Sequence, residues 1–231
     1  NLKEKDIYIE LQDKIKKFDP KNEVVRLRTE HRRTFKDKNG KMVAFISTEP
    51  LNYCEEDNQL QPIEINLFSE KAVKEAPKFS VTGTPDQKRQ GEIFRYKHHA
   101  IKNSVKARFA ENSDGGTQLE RQGHTLEFIL KHQKKTRGNI SKNKIRYAKV
   151  LDNCDLVYTI LPGQIKDELI FYSVPKTPVI SYKMKMDKKL KPENGSDGSI
   201  NLVDASGNII FNLSPSYVYE KNNEDQYKEI E

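Results

Sequence analysis

Residues 145–173 read IRYAKVLDNCDLVYTILPGQIKDELIFYS, and this stretch decides the fold. Over residues 156–161 the side chains that alternate toward the two faces are almost all apolar or β-branched, which is typical of a strand in the middle of a sheet. Pro162 and Gly163 then favour a tight turn, because proline presets φ and glycine accepts a positive φ. The chain returns over residues 165–172, so the stretch predicts a hairpin.

The composition sets the broad class of the protein. The chain has 231 residues, of which 35% are hydrophobic and 32% charged, and it contains no tryptophan. A core must therefore come from many short alternating strands, and no run approaches the roughly 20 apolar residues of a membrane span. The net charge is +7, but acidic and basic residues are interspersed, whereas nucleic-acid-binding proteins more often cluster their basic residues. We expect an all-β protein with β-sandwich-like antiparallel sheets, without a membrane span or a specific nucleic-acid partner.

One short helix is predicted at the N-terminus, over residues 1–19. Asp6 is available as its N-cap, and the pair at residues 19–20, Asp-Pro, ends the segment. Residues 1–22 are thus predicted to be a helical lead-in to the β-rich part. Four apolar residues recur at helical spacing and would form the buried face: Ile7, Leu11, Ile15 and Phe18.

From residue 23 the hydrophobic period changes to two. Residues 25–29 alternate between apolar or β-branched and arginine side chains, which predicts a strand. The alternation resumes over residues 42–47 after Asn39 and Gly40, and Asn-Gly between two such runs is a strong hairpin signal. The spacing of these and later runs predicts about ten to thirteen strands.

Three parts of the chain follow from these patterns. Residues 1–22 lead into a β-rich, sandwich-like domain over residues 23–220. Proline and glycine interrupt a charged stretch near residues 69–92, which predicts a long connection and a seam between two sub-layers. Residues 221–231 are predicted to be a charged, frayed tail.

The sequence lacks the common motifs of catalysis and metal binding. It has no P-loop, no GxSxG nucleophile elbow and no HExxH helix. The adjacent His98 and His99 would point to opposite faces of a strand, so they could not share a metal ion. The acidic triplet at residues 55–57 lacks the ligand spacing of an EF-hand loop. We therefore expect no catalytic, cofactor-binding or metal-binding residues and no cofactor.

Two cysteines, Cys54 and Cys154, leave two possibilities open. In a secreted protein they could form a disulfide, and closing a loop of about 100 residues would contribute up to ~4.7 kcal/mol in the chain-entropy treatment. They could equally be two buried free thiols. Neither has the CxxC or Cys/His spacing of a zinc site.

Four segments in a consistent order carry a family resemblance. They are EVVRLRTEHRRTFKDKNGKMVAFISTEPLNYCEEDNQLQPIEINL at 23–67, GHTLEFIL at 123–130, VLDNCDLVYTILPGQIKDELIF at 150–171 and DGSINLVDASGNIIFNLSPSYVYE at 197–220. Together they resemble the N-terminal, non-repeat region of large secreted bacterial proteins of the RHS/YD-repeat, wall-associated kind. In that family the region precedes adhesive or repeat modules and, in some members, a C-terminal toxin. The resemblance implies an extracellular, secreted or cell-wall-associated module within a longer polypeptide.

The main functional hypothesis is a non-catalytic structural or attachment module. Its partners would be the neighbouring modules of the same polypeptide, with a weak attraction to anionic cell-wall polymers. In this interpretation Tyr158 and Phe171 stabilise the fold, so disrupting either should unfold the domain.

The alternative hypothesis is a carbohydrate-binding module that recognises cell-wall or surface glycans. Without tryptophan its sugar platform would depend on tyrosines, although these could equally be core or interface residues. The candidates are Tyr53, Tyr96, Tyr217 and Tyr219. A glycosidase would instead need two carboxylates about 5 to 10 Å apart, and a sequence does not show that distance.

Overall fold

A computed structural model describes residues 2–55, 58–69, 96–175, 179–219 and 227–229 of the chain. Within these residues the protein is antiparallel all-β with one short helix, which confirms the predicted fold class. The described elements are α1 (Leu2–Ile15), β1 (Arg32–Lys36), β2 (Met42–Ile46), β3 (Asn52–Cys54), β4 (Leu60–Pro62), β5 (Phe68–Ser69), β6 (Tyr96–Ala100), β7 (Lys106–Ala110), β8 (Thr117–Arg121), β9 (His124–Leu130), β10 (Gly138–Ser141), β11 (Lys144–Leu151), β12 (Cys154–Leu161), β13 (Gln164–Phe171), β14 (Tyr182–Met186), β15 (Lys191–Asn194), β16 (Ile200–Val203), β17 (Ile209–Leu213), β18 (Tyr217–Tyr219) and β19 (Tyr227–Glu229).

The 19 strands of the described residues exceed the number that the sequence predicted. Strands such as β3 and β18 have three residues each. Alternation over three residues is too short to be recognised against chance, so these strands have no clear sequence signal.

Two antiparallel sheets form the body of the protein. One has six strands in the order β14-β9-β8-β7-β6-β5, and the other has four in the order β10-β11-β12-β13. The ring of Tyr158 on β12 lies 5.2 Å from that of Phe109 on β7 and 6.0 Å from that of Phe128 on β9. Tyr147 on β11 donates its hydroxyl hydrogen to the carbonyl oxygen of Ala110 at 2.6 Å. The inner faces of the two sheets therefore share one core.

Strand β12 is the central strand that the sequence predicted. It lies between β11 and β13, and all eight of its residues are buried. The hairpin to β13 turns at Pro162 and Gly163, and Gly163 has a φ of +69°. The buried Asn103 holds this turn. Its Nδ2 donates to the carbonyl oxygen of Leu161 at 2.7 Å, and its Oδ1 accepts from the amide of Gly163 at 2.8 Å.

The predicted N-terminal helix is present, but its buried face is rotated from the predicted one. Tyr8 and Ile15 are buried, whereas Ile7 is 63% exposed. The Tyr8 hydroxyl donates to the carbonyl oxygen of Pro50 at 3.0 Å and accepts from Nε2 of the buried Gln12 at 2.8 Å. These polar contacts orient the helix, and apolar periodicity does not report them.

The ends of the helix also differ from the prediction. The helix begins at Leu2, so Asp6 lies inside it and is not an N-cap. It ends at Ile15, before the predicted stop at residues 19–20. Asp19 instead caps a short 3₁₀ helix, Pro20–Asn22, and its carboxylate accepts a backbone hydrogen bond there at 2.9 Å.

The first hairpin forms around the predicted Asn-Gly turn. Strands β1 and β2 pair in antiparallel fashion, and Gly40 has a φ of +78°. The carboxylate of Asp37 accepts hydrogen bonds from the amides of Asn39 and Lys41, each at 2.8 Å. This local network closes the turn.

The strand predicted over residues 25–29 does not form. Val25–Leu27 is a 3₁₀ helix, and the first strand begins only at Arg32. The reason lies in Glu23, whose carboxylate accepts hydrogen bonds from both Arg28 and Arg33. Its backbone also bridges to Phe35 of β1. These contacts fold the segment back on itself, whereas a strand would extend it.

The predicted seam near residues 69–92 lies, except at its first residue, outside the described residues. Of the predicted charged tail at residues 221–231, the described part is strand β19, which pairs with β18. The core also reaches Leu202 and Ile210 in the three-stranded sheet β15-β16-β17. One buried hydrophobic cluster therefore joins α1, the two large sheets and the three-stranded sheet.

Candidate functional site

The candidate site lies on the face of the four-stranded sheet that points away from the shared core. Ile145 and Tyr147 of β11 are buried in the core, so Arg146 between them points to the opposite side. We call this side the outer face. Its two rows of cross-strand neighbours, from β10 to β13, are Asn139, Arg146, Val157 and Glu168, and Ser141, Lys144, Thr159 and Lys166.

Asp155 of β12 carries a buried carboxylate at one end of the outer face. Asp155 is 1% exposed. It accepts hydrogen bonds from Nε of Arg146 at 2.5 Å, from the amide of Lys149 at 2.7 Å and from the hydroxyl of Tyr172 at 2.9 Å. Burial alone would raise the pKa of Asp155, but these hydrogen bonds and the Arg146 charge outweigh burial and hold the pKa below its usual value. The ionised carboxylate in turn holds the Arg146 guanidinium in place.

A second cluster joins β13 to β18. Nζ of Lys166 lies 2.5 Å from Oε1 of Glu168, and the hydroxyl of Tyr219 donates to the same oxygen at 2.7 Å. Nζ of Lys166 also lies 5.6 Å from the centroid of the Tyr219 ring, within the range of a cation-π contact. Burial would raise the pKa of Glu168, but the hydrogen bonds from Lys166 and Tyr219 lower it below its usual value.

The four tyrosines predicted as sugar contacts divide into two pairs. Tyr217 and Tyr219 belong to β18, and their rings stack with centroids 5.9 Å apart and planes 27° apart. Tyr217 is 47% exposed, whereas Tyr53 and Tyr96 are only 6% and 2% exposed. Tyr53 and Tyr96 are therefore core residues, and the prediction of a sugar contact is wrong for them because their rings lack access to a ligand.

Sequence reasoning missed the cluster that Lys166 and Glu168 of β13 form with Tyr219. It also missed Asp155 and Arg146. The signal for Asp155 is a single carboxylate in an otherwise apolar strand, since a buried charge requires a partner. The identity of that partner depends on cross-strand pairing, which the sequence does not show.

The two cysteines are unpaired thiols in the structure. Cys54 is exposed at the end of β3, and Cys154 is buried at the start of β12. Of the two possibilities left open by the sequence, the disulfide is absent, and only one of the thiols is buried. Burial, together with the neighbouring Asp155, raises the pKa of the Cys154 thiol to about 11.

Among the described residues no group of three or more histidine, cysteine, aspartate or glutamate side chains could hold a metal ion. A shallow depression of about 180 Å³ lies between α1 and the segments at residues 65–66 and 142–143. Its rim carries an exposed ion pair between Asp13 and Lys16, with 3.4 Å between the charged atoms.

Comparisons with protein families, with curated proteins and with solved structures find no match. Within the part of the chain that the structure describes, α1 is the only α-helix, and it is neither long nor apolar enough to cross a membrane. The resemblance to RHS/YD-repeat proteins stays a prediction from the sequence.

Proposed function

We propose that the chain is a non-catalytic structural or attachment module of a large secreted or cell-wall-associated bacterial surface protein. The observation that supports this function best is the shared core between the two sheets, where Tyr158 packs against Phe109 and Phe128. Elements that pack into such a core open only with much of the global free energy of unfolding. A surface module needs this resistance to local opening and to proteolysis.

The carboxylates of the outer face also favour a structural role. A general acid or base works best with a pKa near the operating pH. Asp155 and Glu168 have pKa values below the ordinary range, because each is held by several hydrogen-bond donors. These carboxylates hold Arg146, Lys166 and the neighbouring tyrosines in place. In this proposal the partners are neighbouring modules of the same polypeptide and the anionic polymers of the cell wall.

The exposed thiol of Cys54 provides a test of extracellular location. On intact bacteria that produce the full-length protein, a membrane-impermeant maleimide should label Cys54. Cys154 should stay unlabelled until the protein unfolds, because burial raises the pKa of its thiol to about 11. Labelling is read by mass spectrometry of the tryptic peptides, and Cys54→Ser is the control that removes the signal.

The purified, folded protein is labelled in parallel to show that the reagent reaches Cys54. Labelling of the purified protein and of lysed cells, but not of intact cells, would contradict a surface location. An intact mass lower by two hydrogen atoms, with neither thiol labelled, would instead show the disulfide.

A second candidate function is a carbohydrate-binding module. The specific observation in its favour is the stacked pair Tyr217 and Tyr219, which presents an exposed aromatic ring beside the charged groups of Lys166 and Glu168. Aromatic rings bind the apolar faces of sugars, while nearby polar groups fix the orientation of a ligand.

A glycan array with purified wall and surface polysaccharides tests this candidate. We expect binding in the micromolar range that is lost in Tyr217→Ala and kept in Val218→Ala. Val218 is the matched control because it lies on the same strand, is 57% exposed and points to the opposite side of β18. If no glycan on the array is bound, the carbohydrate-binding candidate is wrong and the structural one remains.

A further inference from the structure

The two halves of the outer face differ in exposure. On β12, Val157 and Thr159 are buried. On β13 the side chain of Glu168 accepts a hydrogen bond from the hydroxyl of Tyr219 on β18. On β10 and β11 the residues of the same two rows are open to solvent. They are Asn139, Ser141, Lys144 and Arg146. The open half of the outer face is therefore formed by β10 and β11, while the contact with Tyr219 of β18 is made by β13, on the other side of β12.

The carboxylates of the outer face have no need of further donors. Asp155 accepts from Arg146, Tyr172 and a backbone amide, and Glu168 accepts from Lys166 and a tyrosine hydroxyl. A neutral or cationic ligand would find few free strong acceptors on this face. It would have to displace a protein donor to reach either carboxylate.

Donors, in contrast, remain available on the open half. Within the described part of the chain, the side chain of Lys144 makes no hydrogen bond or ion pair, although its charge helps to lower the pKa of Glu168. The guanidinium of Arg146 uses Nε and Nη2 for Asp155 and Tyr172, and its Nη1 makes no hydrogen bond to a described residue. Its side chain is 52% exposed. Two cationic donors thus point from the same strand, two residues apart.

An aromatic surface lies two strands away from Lys144 and Arg146, at β13. Lys144 and Lys166 lie in one row with Thr159 between them, so their strands are about 10 Å apart. Nζ of Lys166 lies 5.6 Å from the centroid of the Tyr219 ring, and the ring of Tyr217 stacks on that of Tyr219. A ligand that spans these groups would combine a ring that packs against a tyrosine with an anionic substituent that pairs with the cations. The whole four-stranded face is about 14 Å wide, which suits a short linear oligosaccharide.

We propose that the open half of the outer face binds a linear acidic saccharide. Its carboxylate or phosphate substituents would contact Lys144 and Arg146, and a sugar ring would pack against Tyr217. This inference rests on the carbohydrate-binding candidate above and adds the class of ligand. Asp155 serves as a positioning residue, because it holds the guanidinium of Arg146 from below.

Titration calorimetry with three probes tests the inference on the whole chain. The probes are a galacturonic acid trisaccharide, the same trisaccharide with its carboxyl groups reduced, and tripolyphosphate. The variant is Lys144→Glu, since Lys144 is exposed and its replacement leaves the core intact. The matched control is Lys183→Glu, an equal change of charge at an exposed position of β14 in the other sheet.

We expect the acidic trisaccharide to bind at least about fivefold more weakly to Lys144→Glu than to the unchanged chain, while Lys183→Glu has no effect. Binding should weaken as salt is added, because the contacts are at the surface. Tyr217→Ala should also weaken the binding of the acidic trisaccharide. Far-ultraviolet circular dichroism of each variant shows that the fold is kept.

Three outcomes would overturn the inference. If the carboxyl-reduced trisaccharide binds as tightly as the acidic one, the acidic ligand class is wrong while carbohydrate binding stands. If tripolyphosphate binds as tightly as the acidic trisaccharide, and its affinity is unchanged in Tyr217→Ala, the face only attracts polyanions. If neither trisaccharide binds, the inference fails, and the glycan array then decides separately on carbohydrate binding.

Discussion

Tyr158→Ala should lower the free energy of unfolding by about 3 to 5 kcal/mol, as truncation of a fully buried aromatic side chain does. Tyr158 is 2% exposed and its ring contacts those of Phe109, Phe128 and Tyr147, which belong to both sheets. Its hydroxyl also makes a side-chain hydrogen bond with Thr117. Since domains of this size are stable by about 5 to 15 kcal/mol, the loss would remove a large fraction of the stability of a domain near the lower end of that range.

Urea denaturation followed by far-ultraviolet circular dichroism measures this effect, because the chain has no tryptophan to report by fluorescence. Tyr158→Phe keeps the ring contacts and should cost only about 1 kcal/mol, the contribution of one hydrogen bond. Tyr217→Ala, at an exposed aromatic position, should change the free energy of unfolding by less than about 0.5 kcal/mol. A cost for Tyr158→Ala as small as that of Tyr217→Ala would mean that the two sheets do not share a core.

Phe171, predicted together with Tyr158 to hold the fold, has a different environment. It pairs with Cys154 at the far end of β13 and is only partly buried. It also lies outside the core cluster of the described residues. Phe171→Ala should therefore cost less than Tyr158→Ala, and it should not unfold the domain by itself.

The contrast between β12 and the segment after Glu23 shows what a sequence can predict here. The apolar residues of β12 and the Pro-Gly turn lie within one hairpin, so the information that specifies them is local. Residues 25–29 have the same period of two, yet they do not form a strand. Their conformation depends on Arg33 and Phe35, which contact Glu23 from strand β1. Local alternation does not contain that information.

The candidate site shows the same limit. Spacing by two residues places Lys166 and Glu168 on one side of β13, and it places Tyr217 and Tyr219 on one side of β18. It does not say which side of a strand is covered, so the buried Tyr53 was indistinguishable from the exposed Tyr217. The contact between β13 and β18 joins residues 51 positions apart in the chain. That approach results from the packing of the whole domain.

The ion-pair cluster of Glu23 carries the second large expected effect. The side chain of Glu23 is 3% exposed, and those of Arg28 and Arg33 are each 10% exposed. Nη2 of Arg33 lies 2.6 Å from Oε2 of Glu23, and Nε of Arg28 lies 2.9 Å from Oε1. Arg33 also lies over the ring of Phe35, with 5.2 Å between the guanidinium carbon and the ring centroid. The cluster thus fixes the entry of the chain into β1.

Glu23→Ala should lower the free energy of unfolding by about 3 to 5 kcal/mol, because it leaves two buried guanidinium groups without a counter-charge. Asp152→Asn is the control, since it breaks the exposed pair between Asp152 and Lys134, whose side chains are 91% and 64% exposed. That control should cost less than about 1 kcal/mol. Equal losses in the two variants would show that the Glu23 cluster does not contribute as a buried ion pair.

The pH dependence of stability separates the charge of Glu23 from its packing. Burial would raise the pKa of Glu23, but the hydrogen bonds and charges of Arg33 and Arg28 outweigh burial and lower it. A carboxyl whose pKa is lower in the folded state binds protons more readily when unfolded, so its stabilisation is complete above the unfolded pKa of about 4.3. That stabilisation is lost as the pH falls through the folded pKa.

In urea denaturation between pH 6 and pH 3, the unchanged chain should therefore lose more free energy of unfolding than Glu23→Gln, which has no carboxyl at this position to protonate. Other carboxylates with lowered pKa values, such as Asp155, titrate in both proteins, so the difference between the two curves isolates Glu23. Parallel curves would mean that the Glu23 carboxyl has the same pKa in the folded and unfolded chain.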